Sequence, residues 1–107
     1  MSNRWTELQD VDRVVHESAR LVILGILTVA SEVDFTFPVN ETGLTKGNLS
    51  SHLSKLEEAG YMEIAKTFKG KIPLTIVKST RSGRNTLLQY RKAMLQALNR
   101  QWKQRPA

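Results

Sequence analysis

The chain has no cysteine, which excludes disulfides, thiolate metal sites and cysteine nucleophiles together. Histidine is nearly absent too. His16 and His52 are far apart and lack a supporting ligand cluster, so no metal is expected. No phosphate-binding glycine loop, metal-ligand spacing or set of nucleophile, base and orienting group is present, so neither a cofactor nor an enzyme is expected. Long hydrophobic runs are also missing. The longest, LVILGILTVA at 21–30, is about half of the roughly 20 residues a bilayer span requires. It follows a segment carrying Glu7, Asp10, Asp12 and Glu17, unlike the positively charged start of a signal peptide. The expectation is a cytoplasmic chain with no membrane partner.

Acidic charge is scarce as well. Ten Asp and Glu stand against sixteen Lys and Arg, giving a net charge of +6 and a pI near 10.0. Such a balance suits an anionic partner such as nucleic acid or a membrane surface. The 107 residues, 40% of them hydrophobic, fit one domain over 1–107 with a single core and little to spare, so pairing with a second copy would add stability.

Apolar periodicity then orders the chain. Trp5, Leu8, Val11 and Val15 recur every three or four residues, which predicts an N-terminal helix over 5–16. From Ser18 the pattern becomes apolar all round, through Leu21, Val22, Ile23, Leu24, Ile26, Leu27 and Val29, so a central helix buried on several sides is expected. Its one charge, Arg20, needs an acid or a backbone acceptor. Whether the two segments join or break near Glu17 and Ser18 stays open. Across 31–42, Val33, Phe35, Phe37 and Val39 alternate like a strand, while Asp34 and Pro38 equally suit a short helix.

The segment LTKGNLSSHLSKLEEAGYM, 44–62, is the most informative. Thr45 is a plausible N-cap and Gly60 a C-terminal cap, so a helix is expected over about 45–59. At about 100° per residue, Leu49, Leu53 and Leu56 share one narrow arc that faces the core. The opposite arc carries Gly47, Ser51, Ser54 and Glu58, flanked by Asn48 and Lys55. Small polar residues stand there although Ala, Glu and Lys are better helix formers. His52 lies beside the leucine arc, where a half-buried ring bonded to backbone is expected.

Beyond Gly60 the pattern turns extended. Residues 61–65 and 73–78 are rich in β-branched and aromatic types around Lys69-Gly70-Lys71, which predicts a hairpin with a basic tip at Lys66, Lys69 and Lys71. A last helix over 84–103 follows, with Leu87, Tyr90, Met94, Leu98 and Trp102 at helical spacing and Leu88 and Leu95 widening the stripe.

Taken together, residues 18–84 resemble the winged-helix regulators of the MarR and ArsR type, especially the small single-domain group. SARLVILGIL looks like their first core helix, GLTKGNLSSHLSKLEEAGYM like the turn and recognition helix, the Lys-Gly-Lys hairpin like the wing, and STRSGR like the Thr-x-x-Gly segment opening their next helix. The resemblance implies a mainly α fold with a small β hairpin (α+β), a winged helix-turn-helix with N- and C-terminal helices for dimerisation. It also implies a short helix within 31–42. The cysteines or His and Asp clusters of ArsR-type metal sensors are absent, as are the further C-terminal helices usual in MarR-type proteins. Metal sensing is therefore not carried over, and an effector ligand stays unknown.

The expected function is sequence-specific binding of double-stranded DNA by a homodimeric transcriptional regulator. The recognition helix would enter the major groove, where short side chains allow close approach and Asn and Ser bond to base edges. Thr45, Lys46, Asn48, Ser50, Ser51, Ser54 and Lys55 are the candidates there. The wing over about 61–78 would meet the flanking backbone or minor groove through Lys66, Lys69 and Lys71, with Arg81 and Arg84 on phosphates beside it. Trp5, Leu8, Leu87, Leu88, Met94, Leu95, Leu98 and Trp102 are the expected dimer interface. The alternative is a winged-helix interaction or scaffold module, since fold does not fix function.

Overall fold

The computed structural model describes residues 11–34 and 42–103. Its first helix, α1, spans Ser18–Ala30. Glu17 precedes it in an extended conformation, and the Glu17 carboxylate accepts the Arg20 amide at 2.9 Å, capping the first turn. The chain therefore breaks at Glu17. Residues 11–17 form turns rather than the end of a helix, because the Asp12 carboxylate takes the Val14 and Val15 amides at 2.9 and 3.0 Å and competes with a helical ladder. The rest of the expected N-terminal helix, with Trp5 and Leu8, lies outside the described residues.

Helix α1 buries Arg20, Ile23, Leu24 and Leu27 on one face. Val29, by contrast, is 91% exposed and Val22 nearly half exposed. Uniform apolarity thus overstated its burial, since the elements packed against it cover a single side.

Thr42 is helical, in keeping with a short helix within 31–42, and at the start of that segment Glu32–Asp34 is strand β1. It pairs antiparallel with a distant segment, Val33 opposite Val77, and that pairing outweighs the ambiguous local pattern. Residues 35–41 lie outside the described residues.

Helix α2, Lys46–Glu58, starts where Thr45 accepts the Asn48 amide at 3.2 Å. Strands β2, Met62–Lys69, and β3, Ile72–Ser79, follow as one antiparallel hairpin, in a three-stranded sheet of order β1-β3-β2. The hairpin is longer than its hydrophobic pattern suggested. Its pairing runs unbroken from Met62 opposite Ser79 to Lys69 opposite Ile72. Gly70, with φ of 64°, is the first residue of the two-residue connection, where a type II′ turn needs glycine.

Helix α3, Arg81–Lys103, begins three residues before the expected 84. Thr80 explains the shift: its hydroxyl accepts the Gly83 amide at 3.0 Å and donates to the Gly60 carbonyl at 2.7 Å. Gly83 then brings the first turn of α3 against the backbone of Tyr61, closer than any side chain would allow.

The core gathers Val15, Ile23, Leu24, Leu27, Leu49, Leu53, Leu56, Met62 and Val77. The three leucines of α2 are all buried, and each such side chain contributes about 1.5–3 kcal/mol by leaving water. They set the roll of α2 about its axis. Its polar arc consequently points outward.

Candidate nucleic-acid interface

With Leu49, Leu53 and Leu56 locked inward, Lys46, Gly47, Asn48, Ser50, Ser51, Ser54 and Lys55 are all exposed. At 100° per residue they divide into three strips. Gly47, Ser51 and Ser54 point straight out, Asn48 and Lys55 flank them on one side, and Lys46 and Ser50 turn toward the wing. The N-terminal half of α2 thus presents small polar and basic groups. Glu57 and Glu58 occupy its last turn, so the acidic charge of the helix lies at its C-terminal end. Thr45 is exposed, but its hydroxyl is committed to the Asn48 amide. That bond leaves the Asn48 side chain to face outward.

Between α2 and the hairpin runs a groove of about 440 Å³. Lys46, Ser50, Ser54 and Glu57 line it from α2, and Lys66 and Thr75 from the wing. Helix and wing therefore share one groove, with Leu53 and Ile64 also in its lining. Lys66, Lys69 and Lys71 are exposed, and none of them has an acidic partner among the described residues. Lys78 differs. It pairs with Glu32 of β1 at 3.4 Å, so that part of the wing is already neutralised.

Arg81 and Arg84 both lie exposed at the start of α3. Arg84 is held in place: its Nη1 donates to the Ser79 hydroxyl at 2.9 Å and the Ser79 carbonyl at 3.4 Å. Its guanidinium is thereby fixed at the base of the wing with donors to spare.

A partly buried cluster fastens α2 to α1. Arg20, only 8% exposed, donates through Nε to the Val14 carbonyl and through Nη1 to His52 Nδ1 at 3.1 Å. Arginine can only donate, so His52 Nδ1 is the acceptor in this bond. The expectation for His52 is corrected in its partner, which is a side chain and not the backbone. For Arg20, the backbone acceptor is the one realised. Glu17 Oε2 stands 3.5 Å from the same His52 nitrogen. Burial works against the Glu17 carboxylate, but the Arg20 and Ala19 amides and the His52 and Arg20 side chains outweigh it and hold its pKa below the ordinary 4.5.

The sequence-based site list missed two kinds of residue. Asp12 and Tyr61 join the N-terminal turn to the hairpin base through a bond from the Tyr61 hydroxyl to the Asp12 carboxylate, which raises the Tyr61 pKa, with burial adding to it. No local pattern signals that pairing. Phe68 and Ile72 are apolar yet largely exposed at the wing tip; the alternation of the hairpin could have flagged them, since none of the described elements covers its far end.

On α3, Leu88, Leu95, Leu98 and Trp102 are exposed, Leu88 by 60% and Trp102 by 67%. Their spacing of seven, three and four residues forms one seam. Leu87, expected in the dimer interface, is partly buried and packs with Tyr90 against the core. Met94 is half-buried at the seam's edge. Among the described residues no helix is long and apolar enough to cross a membrane.

A hairpin wing beside a capped helix with a small polar outer arc defines a winged-helix domain. The chain matches the winged helix DNA-binding domain family over residues 19–98 and belongs to it. It is 35% identical over 85 residues to an uncharacterized protein of Methanocaldococcus jannaschii, covering 78% of this chain and 91% of that one. Among solved structures it is similar to a transcriptional regulator homologue from Pyrococcus horikoshii OT3, with a TM-score of 0.81 at 23% identity over 90% of this chain and 94% of the other. An organohalide-sensing transcriptional regulator in its 2,4-dichlorophenol-bound form superposes with a TM-score of 0.73 at 12% identity, over 96% of this chain and 61% of that one. An ArsR family transcriptional regulator gives a TM-score of 0.56 at 15% identity, over 99% and 100% of the two chains. At these identities the structural likenesses establish a shared fold.

Proposed function

We propose that the protein is a non-enzymatic, cytoplasmic transcriptional regulator that binds double-stranded DNA sequence-specifically as a homodimer. One observation carries the reading: Lys46, Ser50 and Ser54 of α2 and the unneutralised Lys66 of the wing line the same groove. The N-terminal half of α2 enters the major groove, with Asn48, Ser51 and Ser54 toward base edges and Lys46 and Lys55 toward phosphates. Lys66, Lys69, Lys71, Arg81 and Arg84 hold the flanking backbone. The exposed seam of Leu88, Leu95, Leu98 and Trp102 pairs two copies, since an apolar stripe of this extent is a liability in a monomer. Two recognition helices then meet half-sites about 10 base pairs apart, or a multiple of that.

Selection of bound duplexes from a random pool tests the reading. An enriched inverted repeat is the expected result. Enrichment no better than background overturns it and favours the scaffold alternative.

A further inference from the structure

Phe68 is a large apolar side chain that the domain leaves 70% exposed. Its position follows from the register of the hairpin. Side chains alternate along a strand, so Met62, Ile64, Lys66 and Phe68 share one face of β2, opposite Ser79, Val77, Thr75 and Pro73 of β3. At the base of that face Met62 and Val77 enter the core, and one step further Lys66 and Thr75 line the groove beside α2. Phe68 and Pro73 come next, beyond the body of the domain. Phe68 therefore sits on the recognition-helix side of the wing, at its far end.

The surroundings identify what it meets. No acid occurs anywhere from 64 to 75, while Lys66, Lys69 and Lys71 stand exposed around Phe68 without acidic partners among the described residues. An apolar protein surface would leave those three charges uncompensated. A duplex compensates them, because it presents stacked apolar bases between two rails of phosphate. The two-residue turn at Gly70 also makes the end of the wing as slim as a hairpin end can be, which suits a minor groove about 6 Å wide.

Building on the DNA-binding reading, we propose that Phe68 is an apolar wedge that enters the minor groove beside the major-groove site and partly unstacks one base step. The lysines hold the phosphates on either side. Because pyrimidine–purine steps open most easily, Phe68 adds specificity at a flanking position that no hydrogen bond reads, and it bends the duplex.

Parallel selections with the wild type and with F68A, followed by end-to-end energy transfer on 30-base-pair duplexes of the enriched sequences, test this. The wild type should enrich a pyrimidine–purine step in each flank, and F68A should keep the central consensus but lose that step. F68A should also bind the wild-type sequence about tenfold more weakly, the scale of one lost base-pair contact, and bend it by at least about 20° less. F68W should retain the flanking preference. Identical flanks and identical bending for F68A overturn the wedge and leave the DNA-binding reading standing, whereas a wild type that enriches nothing overturns both. An F68A variant that changes self-association in sedimentation while leaving DNA binding unaltered makes Phe68 a protein contact, which also refutes the wedge.

Discussion

Replacing Gly83 with alanine tests how α3 is seated against the end of α2. A Cβ at this position falls 2.1 Å from the Tyr61 carbonyl oxygen, 2.8 Å from its carbon and 3.0 Å from the Tyr61 Cα. Ordinary contact begins at 3.4 Å, and every one of these atoms is backbone. The start of α3 must therefore move by about 1 Å or more, a distortion of the overpacking kind that costs typically about 1–3 kcal/mol. That motion also strains the Thr80 bonds to Gly60 and Gly83, each contributing about 0.5–1.5 kcal/mol. Against this, alanine is favoured over glycine inside a helix by about 1 kcal/mol. A net loss of about 1–3 kcal/mol results. For a domain of this size each kcal/mol lowers Tm by about 4–8 °C. Gly25 provides the opposite case, because it is exposed within α1 with nothing inside 4 Å of an added Cβ. Gly25→Ala should stabilise by about 0.5–1 kcal/mol. Thermal and urea unfolding followed by circular dichroism measures both. A Gly83→Ala protein as stable as the wild type, or two variants with the same sign, would refute the close-approach account.

Alanine at Lys66, Lys69 or Lys71 should weaken operator and random DNA alike and flatten the logarithmic salt slope by about one unit per lost phosphate contact, up to about two in a dimer. Asn48→Ala or Ser51→Ala should instead cost about 1–3 kcal/mol on the operator, with little effect on random DNA and an almost unchanged slope; affinities across a salt series that show the reverse would move specificity to the wing or to DNA shape. Sedimentation equilibrium at micromolar protein should return twice the 12.1 kDa chain mass; Leu98→Glu should give folded monomers, and a wild-type monomer refutes the seam. Because the Glu17 pKa is held below 4.5 in the folded protein, its stabilising effect is present above that value and lost as the pH falls through the lower folded one. Glu17→Gln should therefore be less stable than the wild type at neutral pH, with the difference between their urea midpoints shrinking under acid; a constant difference counts against the capping role.

Much of this molecule was legible in the order of its residues, because local chemistry specifies it. The roll of α2 follows from Leu49, Leu53 and Leu56, its start from Thr45, the turn of the wing from Gly70, and the basic tip from three lysines within six residues. Each depends on neighbours a few positions away, where helical and strand periods hold whatever the rest of the chain does. Other features are decided only by long-range contacts. Glu32–Asp34 is a strand because β3 lies beside it, and the turns at 11–17 are fixed partly by the Tyr61 bond to Asp12. Arg20 finds its acceptors on the Val14 turn and on α2. Leu87 and Leu88 are adjacent and chemically identical, yet one packs on the core and the other faces outward. The same is true of glycine: Gly25 and Gly83 differ only in what approaches them, open space for one and the Tyr61 carbonyl for the other. Sequence period decides which residues share a face. Only the packing of distant elements decides what, if anything, covers it.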